Sequence, residues 1–161
     1  MDREDNGLGS RGMPLQQKWP ELCVGLLEIQ DMHQRPVSEI EAMRRCVGTS
    51  ADYAQWPDQS REVVSKVEQS AEEHNLAILG YFAENHSLFL HAIAETARAQ
   101  IVYTYSKTVE ARYKVWELRK RGLGVFFVQG ADAHLKVLFL EKDLDAVMEQ
   151  FPELIVIRPA V

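Results

Sequence analysis

Apolar positions recur along this chain with two periods, and both are clearest in the last sixty residues. From Ile101 the pattern reads strand (IVYTY, 101–105), helix (KTVEARYKVWELRKR, 107–121) and strand (VFFV, 125–128). A further strand (LKVLFL, 135–140), a short helix (DLDAVMEQF, 143–151) and a last strand (LIVI, 154–157) follow. Strands show as short β-branched and aromatic runs, helices as apolar residues three and four apart. The punctuation agrees. Arg119, Lys120 and Arg121 stand in the last turn of the longer helix, where cations complement the dipole, and Gly122 follows as its cap. Val109, Tyr113 and Trp116 share one face of that helix and predict its buried side. Asp143 suits the N-cap of the short helix, and Pro152 stops it.

Upstream the pattern predicts helices. Pro20 suits a first helical position, and PELCVGLLEIQDMHQ sets Leu22, Leu26, Ile29 and His33 on one face, ended by Arg35-Pro36. Ser38 with Glu41 three residues on forms a capping box. The helix it opens carries Ile40, Met43 and Val47 as its stripe and Gly48 as its C-cap. A loop over 49–59 holds Tyr53 and Trp56, and a third helix from Ser60 to His74 turns Val63, Val64, Val67 and Ala71 inward. Residues 76–95 contain LAILGYFA and LFLHAIAE separated by ENHS, a spacing that fits a hairpin as well as a helix. Their Ala, Leu and Glu content favours helix over 88–99 and leaves 76–83 open.

The βαββαβ order over 100–161 resembles a ferredoxin-like sandwich. The expected fold is therefore α+β, with N-terminal helices packed on a C-terminal ferredoxin-like unit. Residues 1–16, charged and glycine-rich, are expected to be a disordered tail, and 17–161 a single domain with a mainly helical part (17–99) and the sandwich (100–161). VFFV, VLFL and LIVI are apolar on both faces, so neither side of the sheet can stay wet. The expected cover is the N-terminal helices or a second copy of the chain.

Composition narrows the function classes. The formal net charge is −6, from 24 acidic and 18 basic residues. That balance argues against nucleic acid as a partner, since nucleic-acid surfaces are usually basic. Cys23 and Cys46 lie in apolar stretches with no paired motif, which predicts two buried thiols in a reducing compartment. No run approaches the ~18 apolar residues of a membrane span, so the expected location is cytoplasmic and away from membranes.

Candidate chemistry is thin. Five histidines are scattered without a metal pair; His86 and His91, five apart, fall on different faces of a helix. Gly122-Leu-Gly124 stands after a helix and before a strand, the reverse of a phosphate-binding loop. No metal, cofactor or catalytic set is expected from these patterns. Two groupings remain. Tyr103, Tyr105 and Tyr81 with His91 could line a ligand pocket, mostly apolar with orienting hydroxyls. Arg119, Lys120 and Arg121, in the basic face over 112–121, could contact phosphate or nucleic acid. The favoured expectation is a non-enzymatic binding or regulatory module acting through protein contacts or as a homodimer. A small-molecule site or enzyme with a Tyr/His-lined pocket comes second, and a nucleic-acid-associated protein using the basic face third.

Overall fold

The computed structural model describes residues 16, 18–29 and 37–159. The predicted tail, Gln16 apart, lies outside the described residues, as do His33 and the Arg35-Pro36 helix end. The elements are β1 (Leu22–Leu27), α1 (Glu39–Thr49), α2 (Trp56–Glu72), α3 (Leu76–Thr96) and α4 (Ser106–Lys120), then β2 (Phe126–Val128), β3 (Leu135–Leu140), α5 (Leu144–Gln150) and β4 (Ile155–Ile157). A short 3-10 turn, Ala51–Gln55, leads into α2. The fold is α+β: helices on a four-stranded sheet in the order β2-β3-β1-β4, with every neighbouring pair antiparallel.

The first strand corrects the sequence reading. Residues 22–27, expected to be helical, form β1, and 101–105, expected to be the first strand, run as irregular chain into α4. The expected βαββαβ order within 100–161 is therefore not formed, because one of its strands comes from before the helices. β1 is the central strand; Leu22 to Leu27 pair with Leu140 to Leu135, and Val24 to Leu26 with Ile157 to Ile155. A strand covered on both faces reads as a continuous apolar run, which periodicity alone does not separate from a buried helix.

One face of the sheet presents Cys23, Leu27, Phe127, Leu135, Val137 and Phe139 to Val115 and Leu118 of α4 and to Val147 and Phe151 at α5. The opposite face presents Val24, Phe126 and Leu138, packed against Trp19, Ala71 of α2 and Leu76 and Leu79 of α3. Helices therefore cover the β2–β3 end of the second face. There α3 approaches so closely that a Cβ on Gly80 would overlap the Phe126 ring. At the other end Ile155 and Ile157 are 52% and 51% exposed.

Several helix faces differ from expectation. Ser38 caps α1, its Oγ accepting from Glu41 N at 3.3 Å; the Glu41 side chain instead accepts from Arg45. The buried side of α1, however, is Ala42 and Cys46, while Ile40 and Val47 are exposed and Gly48 lies inside the helix. Residues 76–96 form one helix, and ENHS sits in its middle. In α4 the buried positions are Thr108, Ala111, Val115 and Leu118 rather than Val109 and Tyr113. Gly122 does close α4 with φ of 90°. Both thiols are free and buried, Cys23 on a strand rather than a helix. No helix among the described residues is long and apolar enough to cross a membrane.

A buried carboxylate clamps α3, α4 and β2 together. Glu84, 5% exposed, accepts from Arg119 Nη1 and Nη2 at 2.7 and 2.8 Å, from Trp116 Nε1 at 2.9 Å and from Phe127 N at 3.1 Å. The guanidinium also lies over the Phe126 ring, 4.8 Å from its centroid. Four donors on one carboxylate offset the cost of burying it. This clamp fixes the height of α3 on the sheet, and so fixes what α3 carries one turn further along.

Candidate functional site

Beyond Glu84, α3 presents Ser87 and His91 on the same side, three and seven residues on, towards the loop that joins β2 to β3. Ser87 Oγ accepts from Gln129 N at 3.1 Å and donates to Ala83 O at 3.1 Å. The loop folds on itself. Gln129 Nε2 donates to Asp132 O at 2.7 Å, Asp132 Oδ1 accepts from His134 N at 2.8 Å, and His134 Nδ1 accepts from Ile29 N at 2.9 Å. From below, Arg112 of α4 donates through Nη2 to Gln129 Oε1 at 2.5 Å and to Thr104 Oγ1 at 3.0 Å. The loop is thus held by side chains from two helices and by the end of β1. Such a loop can keep polar groups in fixed positions.

Gln129, Gly130 and Ser87 form the polar end of a groove between α2 and α3. Its volume is about 610 Å³, and its walls include Val63, Val64, Val67 and Leu90. Small-molecule sites are commonly ~300–1,000 Å³, largely apolar, with a few placed polar groups, and this groove has that form. His86 stacks on Trp56 along the wall, ring centroids 4.3 Å apart and planes 19° from parallel. Burial lowers the His86 pKa, which favours the neutral ring in this wall. A second cleft, of about 460 Å³, lies beside the start of α4, where Lys107 and Lys114 alternate with Glu110, Glu28 and Glu153.

The four predicted pocket residues are partly brought together. His91 and Tyr103 meet edge to face, ring centroids 6.0 Å apart, and both are buried. The Tyr103 hydroxyl donates to Val37 O at 2.9 Å, so it is engaged with backbone. Tyr105 caps α4 and packs half-buried on the core. Tyr81 is 60% exposed, ten residues before His91 on α3, nearly three turns away. The structure also separates the three cations. Arg119 is held by Glu84, Lys120 pairs with Glu117 at 2.6 Å on the surface, and Arg121 is exposed at the end of α4.

Reasoning on the sequence passed over Gln129 and Ser87, which are central here. A glycine between two apolar runs, as at Gly130, is a signal for a loop, but nothing local points to the buried serine forty-two residues before Gln129. His91 has the most perturbed ring. Burial first, and the charge of Arg112 second, lower its pKa from 6.5 to about 4, against the opposing pull of the Gln129 and Gly130 carbonyls and of Asp132. The unfolded chain takes up this proton from about pH 6.5 downward, whereas the folded chain refuses it until about pH 4. Stability is therefore expected to fall as pH drops through that window, by on the order of 3 kcal/mol once pH is below 4. Urea unfolding at several pH values tests this: the slope between pH 6.5 and 4 should be shallower in His91→Gln, and equal slopes would refute it.

No protein-family model and no curated protein matches the chain. Solved structures do. Mevalonate pyrophosphate decarboxylase from Streptococcus pyogenes is 27% identical, with a TM-score of 0.78 over 88% of this chain and 45% of that one. A structure described as MDDEF in complex with MVAPP, AMPPCP and magnesium is 25% identical, with a TM-score of 0.83 over 91% of this chain and 46% of that one. Mevalonate diphosphate decarboxylase from Enterococcus faecalis, described for mevalonate diphosphate mediated ATP binding, is 24% identical, with a TM-score of 0.79 over 91% and 45%. This chain spans less than half the length of each. The expected non-enzymatic module acting through protein contacts is overturned by these likenesses, which are to an enzyme. The fold of this chain is that of a portion of the mevalonate diphosphate decarboxylase structures, and the likenesses favour the small-molecule or enzyme reading over the protein-binding one.

Proposed function

We propose that this chain forms a substrate-facing part of an enzyme of the mevalonate diphosphate decarboxylase type. The ligand's carbon skeleton lies in the groove between α2 and α3, and its polar end meets the 129–134 loop. The observation that carries the reading is the 27% identity and TM-score of 0.78 over 88% of the chain with the Streptococcus pyogenes decarboxylase. The groove supports it, because apolar walls seat a branched carbon chain while Gln129 and Ser87 orient it at one end. We also read the sheet as ferredoxin-like. The order β4-β1-β3-β2, all antiparallel, is that of a split βαβ sandwich whose first crossover has grown from one helix to four.

The chain covers under half of those structures, so binding is the property to measure first. Calorimetric titration with mevalonate diphosphate, with and without AMPPCP and magnesium, should show saturable heat. Replacing Leu90 in the groove wall with Trp should abolish that heat while leaving the fold's circular dichroism intact. The reading fails if the wild-type protein gives no saturable signal in either condition.

A further inference from the structure

Arg112 carries a charge that no direct ion pair balances; Glu95 and Glu84 act on it only through space. It is half-buried, and no carboxylate forms an ion pair with it among the described residues. Glu84 is engaged by Arg119. Asp132 directs Oδ1 to the His134 amide. The partners of Arg112 are neutral oxygens, Gln129 Oε1 and Thr104 Oγ1, both on Nη2, together with the Phe127 ring 5.4 Å away. Its Nε is buried with no hydrogen bond. Beside it stands His91, 4% exposed, whose ring nitrogens make no well-formed hydrogen bond although the Gln129 and Gly130 carbonyls lie close enough to act on its proton. Buried polar atoms without partners are few in native structures, and each is costly. Here three of them belong to two side chains that converge on the same loop residue, Gln129.

We propose that Arg112 and His91, held by Gln129 and Thr104, form a binding site for an oxyanion, the carboxylate or phosphate of a small organic acid. An oxyanion supplies what the cluster lacks: acceptors for the guanidinium and the imidazole, and a negative charge against Arg112 in surroundings where such bonds are strong. Arg112, Thr104 and Asp132 are each half-exposed, so the cluster is open on that side. Gly130 adds room, since nothing lies within 4 Å of where its Cβ would stand. Gln129 and Gly130 also border the groove, which places the rest of the acid between α2 and α3. The carboxylates that would repel such a ligand are Asp132, half-exposed at the entrance, Glu95 and Glu84 near Arg112, and Glu68 and Glu72 along the groove; at the exposed positions solvent screens them. The proposal names the ligand class of the site described above and rests on that reading only for where the carbon skeleton goes.

The test uses inorganic phosphate and acetate, each titrated at pH 7 into the whole protein at an ionic strength held constant with sodium chloride, and read by the NMR ring signals of the histidines. Saturable movement of the His91 signals is expected with at least one anion, while His74, seventeen residues away near the start of α3, stays still. Phosphate alone would identify a phosphoryl ligand and acetate alone a carboxylate. Arg112→Gln should weaken the binding at least tenfold. Should that variant fail to fold, Arg112→Lys, which keeps the charge but not the planar fork, should weaken it severalfold. The proposal is overturned if neither anion saturates, if saturation leaves His91 unmoved, or if an Arg112 variant binds as the wild type does. Anion binding without any affinity for mevalonate diphosphate would sink the decarboxylase reading alone. Mevalonate diphosphate binding that ignores Arg112 would sink this one alone.

Discussion

Replacing Glu84 with alanine is expected to cost about 3–5 kcal/mol of folding stability, the range for breaking a buried, hydrogen-bonded ion pair from one side. The side chain is 7% exposed and its Arg119 partner 28%, so water cannot take over the lost contacts. Removal strands the guanidinium, the Trp116 indole N–H and the Phe127 amide together. Changing both members to apolar residues, Glu84→Leu with Arg119→Met, should restore much of the loss, because no charge is then left buried. Urea midpoints of the two single variants and the double variant measure this directly. A loss under about 1 kcal/mol in Glu84→Ala would show that the clamp is dispensable.

Phe127→Ala is expected to be as severe, about 3–5 kcal/mol, by leaving a cavity in the core between the sheet and α4. Its ring is fully buried between sheet and α4, tilted against Trp116 at 6.0 Å, with Arg112 over it at 5.4 Å. Phe127→Leu keeps most of the volume and should cost well under half as much. Calorimetric unfolding of the two variants separates the outcomes, and equal losses would mean that ring shape, not volume, is what the site needs.

How far the sequence could be read depended on whether a segment's partners were nearby. The second half, from α4 to β4, is bounded by local signals: cations and Gly122 at the end of α4, Pro152 after α5. Those signals act within a few residues, and the elements lie where they predict. β1 failed because its only specification is distant; Leu22–Leu27 becomes a strand by pairing with residues more than a hundred positions away. Residues 101–105 failed in the opposite sense. Ile101 and Tyr103 are buried among α1 and α3, so their apolar character serves packing and not a ladder. The site suffered likewise. His91 and Tyr103 were legible as an aromatic pair near a covered interior. Their relation to Arg112, Gln129 and Ser87 arises only when α3, α4 and the β2–β3 loop converge, and no spacing in the chain encodes that. Arg119 looked like a helix terminus or a phosphate contact because its partner Glu84 lies thirty-five residues away, on an element the pattern had not resolved.

The amides of Phe127 and Gln129 have a consequence for self-association. β2 is an edge strand, and the outer N–H groups of such a strand ordinarily invite a foreign chain to continue the sheet. Here Glu84 and Ser87 of α3 already occupy those two donors, so an incoming strand would first have to displace a helix. The opposite border, β4, is three residues long and followed closely by Pro159, which offers little length for a template. Loosening α3, as Glu84→Ala should, would then do more than destabilise: it would uncover an apolar border and turn a folding defect into fibre-like aggregation.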